Sequence, residues 1–228
     1  SYDKKCQLVS ADVPTSGTEI VIPSTVAFGE DDYSVTSIGS SAFSGCSNLA
    51  SIEIPSGVTS IGSYAFQGCS SLSSIEIPSG VTSIGYYAFQ GCSSLETIIV
   101  EEGNSVYDSR GNCNALIGTA SNTLMLGCKN TIIPETVTTI GVSAFMQCSG
   151  LTNVAFAENS QLTFIGDNAF SYCSDLASIE IPSGVTSIGS SAFYRCSGLT
   201  NVAFAENSQL TSIGDYAFSY CTSLTSME

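Results

Sequence analysis

The sequence predicts a repeat solenoid, an extended stack of similar short units that share one continuous core. The stretch SIEIPSGVTSIGSYAFQGCSSL at residues 51–72 returns at residues 74–95 with one change, and in related form at residues 178–199. An Ala-Phe pair marks seven units, most of them 23 or 25 residues apart, with the phenylalanines Phe43, Phe66, Phe89, Phe145, Phe170, Phe193 and Phe218. One unit offers only about eight apolar residues, too few for a core of its own, so the units must stack.

Each unit is expected to contain two short strands and a returning segment. Ile52 and Ile54 alternate with polar neighbours, a pattern typical of a strand with one buried face. Pro55 ends this strand because it cannot donate a ladder hydrogen bond. A second short strand is predicted at residues 58–61, and the segment with the Ala-Phe pair then returns as a loop or single helical turn.

The irregular places fit the same scheme. We expect a cap at residues 1–17 and a single solenoid of about nine rungs over residues 18–228, whose last rung looks truncated. One Ala-Phe step of 56 residues exceeds two steps of 23 by ten, which indicates an irregular unit at about residues 101–133. There the apolar runs ALI and LML, separated by ASN, predict a β-hairpin that protrudes from the stack. The segment STVAFGEDDYS predicts a second inserted hairpin near the N-terminal end.

Charge and composition exclude several classes of function. The formal net charge is −15, from 20 acidic and 5 basic residues. Such a chain repels nucleic acid and anionic lipid, which are bound largely through Lys and Arg. It has no apolar run near 20 residues that would insert into a membrane. Histidine is absent, which removes the usual general base and the usual metal ligand, so an enzyme is not expected.

The unit LxxIxIPxxVTSIGxxAFxxCxx resembles the BspA-like, or treponemal-type, leucine-rich repeat. The resemblance covers nearly the whole chain from about residue 18, and the IG-x-x-AF-x-x-C signature carries it. The insert in the irregular unit also looks like a variant seen in that family. The resemblance implies a right-handed leucine-rich-repeat β/α superhelix. It also implies a secreted or surface-anchored protein that adheres to host matrix proteins, epithelial cells or other microbes.

Ten cysteines raise the question of disulfides or metal. Seven of them hold one place in the repeat and should form a buried column of reduced thiols: Cys46, Cys69, Cys92, Cys148, Cys173, Cys196 and Cys221. Parallel side chains in such a column give a poor disulfide torsion, although rungs ~4.8 Å apart are close enough. Cys113 and Cys128 lie outside the column and could be bridged if the hairpin brings them together. The phenylalanine column is likewise expected to be core.

Outward positions of the first strand are the candidate partner-binding residues, because the resemblance places this strand on the concave face. They are Ser51, Glu53, Ser74, Glu76, Thr97, Ile99, Asn153, Ser178, Glu180 and Asn201. Ala155 and Ala203 are further outward positions of the same strands. Glu53 and Glu76 should be neighbours, and like charges side by side are unfavourable. Either recent duplication of whole units explains them, or the acidic strip meets a basic partner. The acidic clusters 30–32 and 101–102 are interpreted as solvated turns, and no metal or cofactor is expected.

The leading hypothesis is therefore a non-enzymatic binding module, extracellular or on the cell surface, that contacts a protein or glycan through its extended faces. A monomer is favoured over an obligate oligomer. The alternative is a structural spacer or display scaffold for other domains of a larger surface protein. Many weak contacts would act together through avidity if several copies share one surface.

Overall fold

The computed structural model describes residues 5–8 and 18–228, and its regular structure is almost entirely short β-strand. Two compact units are formed. Unit 1 comprises the residues up to Leu95 together with Ile99–Tyr107, and unit 2 comprises Glu96–Ile98 with Asp108–Glu228. The cap predicted at residues 1–17 lies outside the described residues, except for 5–8.

The strands up to residue 108 are two to eight residues long. They are β1 (Lys5–Leu8), β2 (Thr18–Val21), β3 (Thr25–Phe28), β4 (Asp31–Ile38), β5 (Leu49–Glu53), β6 (Ser60–Ile61), β7 (Ser74–Ile77), β8 (Ser83–Ile84), β9 (Thr97–Val100) and β10 (Tyr107–Asp108). In unit 1 the second strands of successive repeats form a parallel ladder in the order β1-β4-β6-β8. Ile38, Ile61 and Ile84 are direct neighbours in it, so the 23-residue step in the sequence is the register of the ladder.

The hairpin predicted near the N-terminal end is confirmed. Strand β3 pairs antiparallel with β4, and Val26 lies opposite Tyr33. The first strands form a separate parallel pair, β2 with β5, in which Ile20 lies beside Ile52. On the same side of unit 1, a backbone hydrogen bond joins the next two rungs, since Glu101 N donates to Ile77 O at 2.9 Å.

Unit 2 repeats this arrangement. A single 3₁₀ turn at Arg110–Asn112 precedes strands β11 (Ala115–Gly118), β12 (Thr123–Gly127), β13 (Ile132–Ile133), β14 (Thr139–Ile140), β15 (Ala155–Phe156), β16 (Phe164–Ile165), β17 (Ser178–Ile181), β18 (Ser187–Ile188), β19 (Asn201–Phe204), β20 (Ser212–Ile213) and β21 (Ser226–Met227). The second strands lie in the order β12-β14-β16-β18-β20, and all of these pairs are parallel. The first strands pair as β13-β15 and β17-β19-β21.

The hairpin in the irregular unit does not protrude, so that expectation was wrong. Strands β11 and β12 do form an antiparallel hairpin, but β12 also pairs in parallel with β14 and extends the second-strand sheet. Ala115, Ile117 and Leu124 are fully buried. A protruding hairpin would leave these apolar side chains in water, and burying them favours the observed position.

The core runs along the inside of the stacked rungs. In the unit quoted from residues 51–72, every apolar repeat position is buried: Ile52, Ile54, Val58, Ile61, Ala65, Phe66, Cys69 and Leu72. The predicted repeat solenoid of short parallel strands is therefore confirmed.

Two repeat positions set the close approach of successive rungs. A Cβ on Gly62 would lie 2.4 Å from Ser40 N, whereas a Cβ on Gly57 would meet its nearest neighbour, Val35 O, at 3.5 Å. The hydroxyl of Thr59 donates to Thr36 O of the preceding rung at 3.2 Å. The same bond to a carbonyl of the preceding rung is donated by the hydroxyls of Thr82, Thr163, Thr186 and Thr211. The side-chain hydrogen bond thus selects the Thr of the VTSIG motif, and the close backbone contact selects its Gly.

Candidate functional site

The repeat phenylalanines stack with nearly parallel rings inside each unit. Ring centroids are 5.1 Å apart from Phe43 to Phe66 and from Phe66 to Phe89. In unit 2 the steps from Phe145 to Phe218 are 4.9 to 5.1 Å. Phe218 is half-buried and the other six are buried. The rings therefore pack the interior.

The repeat cysteines form a ladder of S–H hydrogen bonds between rungs. Cys69 Sγ donates to Phe43 O at 3.2 Å, and Cys196 Sγ donates to Phe170 O at 3.1 Å. The same contact recurs at Cys92, Cys173 and Cys221. An oxidised sulfur has no proton to donate, and all seven repeat cysteines are free thiols here. Five of them are buried, whereas Cys46 and Cys221 are half-buried.

Burial makes these thiols poor acids. It raises the pKa of Cys69 and of Cys148 to about 12, with a smaller contribution from the neighbouring cysteine. Burial also raises the pKa of Cys92 and Cys173 well above the usual value. The thiolate is the reactive form, so the buried thiols of the column are chemically inert at neutral pH.

Cys113 and Cys128 are both buried free thiols in unit 2. Cys128 Sγ donates to Glu96 O at 3.2 Å and lies 3.4 Å from Asn114 O. Cys113 Sγ points to Ala115 O at 4.0 Å. The two sulfurs therefore have different main-chain partners, and the bridge left open by the sequence is not formed.

In each unit taken by itself, the outward residues of the first strands form the surface that we call the first-strand face. Its members are exposed or half-buried: Ser51, Glu53, Ser74, Glu76, Thr97, Ile99, Asn153, Ala155, Ser178, Glu180, Asn201 and Ala203. In unit 2, Ser178 lies beside Asn153 on one side and Asn201 on the other, and Glu180 lies beside Ala203. Repeat spacing thus brings these side chains into continuous rows within the unit.

In unit 1 the first-strand face is acidic with exposed aliphatic positions. Ser73 N donates to Ala50 O at 3.1 Å, and this 23-residue step makes Glu76 the neighbour of Glu53. Val21 pairs with Glu53 and is 67% exposed, and Ile99 is 46% exposed. Carboxylates and aliphatic side chains side by side suit a partner that offers both basic and apolar groups.

A cluster around Arg110 was not found by sequence reasoning. Arg110 makes a bidentate ion pair with Asp108, with N–O distances of 2.7 and 2.6 Å, and also donates to Asn122 Oδ1 at 2.8 Å. Burial opposes the ionisation of Asp108, but hydrogen bonds from Arg110 and Thr119 outweigh it and lower its pKa. Because Asn122 lies in the turn between β11 and β12, the cluster fixes the inserted hairpin.

A second missed group lies on the surface of unit 2 and is called here the tyrosine–arginine cluster: Tyr172, Tyr194, Arg195 and Tyr220. The Arg195 guanidinium carbon lies 5.5 Å from the ring centroids of Tyr172 and Tyr194 and 5.1 Å from that of Tyr220. Arg195 Nε donates to the Tyr194 hydroxyl at 3.3 Å. The hydrogen bond to Tyr194 raises the pKa of Arg195, and a guanidinium is protonated at neutral pH in any case.

The part of the chain that the structure describes holds neither a group of metal ligands nor a membrane-spanning helix. Within residues 5–8 and 18–228, no three His, Cys, Asp or Glu side chains are grouped so as to hold a metal ion. Over the same residues, no helix is both long and apolar enough to cross a bilayer.

Comparison with known proteins places the chain in a family. The model of the BspA type leucine rich repeat region matches residues 15–114 and 122–228, in six copies. The chain belongs to the BspA-type leucine-rich-repeat family. No curated protein matches the chain significantly.

Two bacterial leucine-rich-repeat proteins share its fold. A leucine-rich cell surface protein of Faecalibacterium prausnitzii A2-165 is 21% identical, with a TM-score of 0.53 over 100% of this chain and 91% of that one. A leucine-rich repeat protein of Eubacterium ventriosum is 23% identical, with a TM-score of 0.54 over 92% of this chain and 72% of that one. At these identities the similarity establishes the fold alone.

The BspA-type repeat itself contains one signal for the tyrosine–arginine cluster. The position just before the repeat cysteine is Gly45, Gly68 and Gly91 in unit 1, each with a positive φ. Unit 2 has Gln147, Tyr172, Arg195 and Tyr220 at that position, with φ from 58° to 63°. Large side chains in a conformation that favours glycine mark a place where the repeat has been modified.

Proposed function

We propose that this chain is a non-enzymatic binding module, secreted or surface-exposed, that mediates adhesion to host proteins, glycans or other microbes. Membership of the BspA-type family carries the proposal, together with a first-strand face whose outward side chains are polar, acidic and aliphatic. The residues expected to contact the partner are the first-strand face residues themselves.

Repetition supports binding by many weak contacts. In unit 2 the row Asn153, Ser178 and Asn201 continues to Ser226, which donates to Asn201 Oδ1 at 2.6 Å. Such short side chains lose little entropy when they are fixed by a partner. Each contact is modest, and affinity grows when several copies engage one surface. The chain itself is expected to be a monomer.

One observation supports an extracellular location, and a second removes an objection to it. The structurally similar Faecalibacterium protein is described as a cell surface protein. Ten free cysteines would be a liability in an oxidising compartment, but seven of them are buried here. Buried thiols with raised pKa values react slowly, so this fold tolerates exposure to oxidants.

The test is a binding screen of the isolated chain against immobilised matrix proteins, mucins and glycans. For a partner found in this way, Glu180→Lys on the first-strand face is expected to weaken binding at least several-fold. Glu158→Lys makes the same charge change on an exposed loop of unit 2 and serves as the matched control. Equal effects of the two variants would remove the first-strand face from the proposal. A chain that binds none of these partners while its full-length parent does would favour the spacer instead.

A further inference from the structure

We infer that the tyrosine–arginine cluster binds a sugar that carries a carboxylate, such as a terminal hexuronic or sialic acid of a glycan. This inference rests on the proposed binding function and names one ligand class and a second surface for it. The surface is separate from the first-strand face, because its residues lie in the returning segments between the second strand of one rung and the first strand of the next.

The cluster holds a basic side chain, Arg195, that forms no ion pair with the described residues. Arg195 is one of five basic residues in a chain of net charge −15. Two other basic side chains, Arg110 and Lys129, are paired with carboxylates. Arg195 has no carboxylate within ion-pair distance among the described residues, and the only hydrogen bond of its side chain there runs from Nε to a tyrosine hydroxyl. The Nη atoms therefore remain to donate in the forked geometry that fits a carboxylate.

The side chains of the cluster are held in one arrangement by contacts within unit 2. Tyr172 N donates to Tyr194 O at 2.8 Å and Arg195 N donates to Ser219 O at 2.9 Å, so adjacent rungs fix the main chain beneath the cluster. The ring of Tyr194 packs edge-on against Tyr172 and Tyr220, with centroid distances of 5.7 and 5.4 Å. The guanidinium is thus held in place before a ligand arrives, which lowers the entropic cost of binding.

The main chain of the cluster adopts a conformation that costs free energy for residues other than glycine. Tyr172, Arg195 and Tyr220 all have φ near +60°, where a residue with a Cβ is less stable than glycine by about 1 kcal/mol. All four rungs of unit 2 with this position, including that of Gln147 outside the cluster, accept the cost where unit 1 has glycine. Packing does not explain the choice, because Arg195 is exposed and Tyr220 is 62% exposed. A ligand that uses these side chains does explain it.

The surroundings select the class of ligand. The net charge of −15 repels polyanions and strongly acidic peptides, so the ligand should carry a single negative charge on an otherwise neutral group. The exposed part of Tyr220 offers ring surface to the apolar face of a sugar, and the tyrosine hydroxyls offer hydrogen bonds to its hydroxyl groups. The open surface lets the remaining sugar hydroxyls stay hydrated.

The experiment compares oligosaccharides that end in glucuronic acid or in N-acetylneuraminic acid with the same oligosaccharides lacking the acidic residue. Titration of the whole chain, followed by NMR or calorimetry, should show at least about tenfold tighter binding of an acidic form. The two acidic arms distinguish the sugars. Preference for an acidic peptide over both would overturn the assignment to a glycan.

Variants taken from the repeat itself keep folding and binding apart. Arg195→Gly introduces the residue found at this position in unit 1 and suits φ of 58°, so it should keep the thermal midpoint yet lose at least about tenfold in affinity. The affinity of Arg195→Lys should lie between those of the unaltered chain and of Arg195→Gly, because lysine keeps the charge but lacks the forked donor geometry. Tyr86→Ser is the matched control, since Tyr86 is exposed and its repeat twin is Ser63.

The outcomes separate this inference from the proposed function. Binding of acidic sugars that survives in Arg195→Gly, or that is absent in the unaltered chain, overturns the inference. If a mucin or matrix protein still binds through the first-strand face in that case, the proposed function stands without it. If no partner of any kind binds, the proposed function fails as well.

Discussion

Cys173 Sγ donates to Phe145 O at 3.1 Å, and the same carbonyl also accepts a hydrogen bond from Cys148 N at 3.0 Å. One main-chain oxygen therefore joins two rungs of unit 2. This contact explains why the repeat has cysteine here instead of another small apolar residue. Alanine is too short to reach the carbonyl, and valine has no proton to donate.

Cys173→Ala is accordingly expected to destabilise the chain by about 2 kcal/mol, from a small cavity and a lost hydrogen bond. Urea unfolding followed by circular dichroism measures the change. Cys221→Ala is the control, because Cys221 makes the same bond at 3.1 Å but is half-buried, so its loss should be smaller. Equal losses would mean that the cavity adds nothing to the loss of the shared hydrogen bond, and no loss in either variant would mean that the thiol ladder does not stabilise the fold.

The thiols should divide into two classes of reactivity. At pH 8 we expect at most three cysteines to react quickly with Ellman's reagent, the half-buried Cys6, Cys46 and Cys221. Mass spectrometry after partial alkylation identifies the sites. Fast labelling of all seven repeat cysteines in the native state would contradict the buried column.

The two glycines of one repeat should tolerate alanine very differently. Gly62→Ala places a Cβ against the rigid backbone of the preceding rung, 2.4 Å from Ser40 N and 2.7 Å from Gly39 C. We expect a loss of about 3 kcal/mol, since the rungs must separate. Gly57→Ala meets only ordinary contact at 3.5 Å and should change stability by less than about 1 kcal/mol. Thermal unfolding of both variants provides the test, and similar midpoints would show that rung spacing is not set by Gly62.

The two ion pairs of unit 2 should also differ in their contribution to stability. Arg110→Ala removes the bidentate pair with Asp108 and the bonds to Asn122 and Thr136, and should cost about 2 kcal/mol. Lys129→Ala removes a pair with Glu96, whose side chain is 51% exposed, and should cost less than about 0.5 kcal/mol. Chemical unfolding at pH 7 measures both, and comparable losses would contradict a special role for Arg110.

Acid should selectively remove the contribution of Asp108. Its folded-state pKa lies below the usual value of 3.8, so its stabilisation is complete above that pH and is lost as the pH falls through the folded value. Asp108→Asn should therefore be less stable than the unaltered chain at pH 6, with the difference shrinking below about pH 3. A constant difference across this range would mean that the carboxylate charge is unimportant.

The interior of the fold could be predicted from the sequence because every rung repeats the same apolar positions, such as Phe66 and Leu72. The position of the inserted hairpin could not, because ALI and LML show that two strands form without showing that β12 also pairs with β14. The Arg110 cluster depends on contacts 12 and 26 residues apart, which no local pattern records. The tyrosine–arginine cluster forms where three successive rungs carry residues that the other rungs lack. A pattern built from the positions that all rungs share does not contain such residues.

The backward direction of the threonine hydroxyls and cysteine thiols has an evolutionary consequence. Each rung carries the donors for the carbonyls of the rung before it, as Thr186 does for Thr163 and Thr211 does for Thr186. An in-frame duplication of one whole repeat therefore inserts a rung whose donors and acceptors already match both new neighbours. Such a protein can lengthen by unequal recombination without any compensating mutation, and its near-verbatim repeats are the expected record of that process.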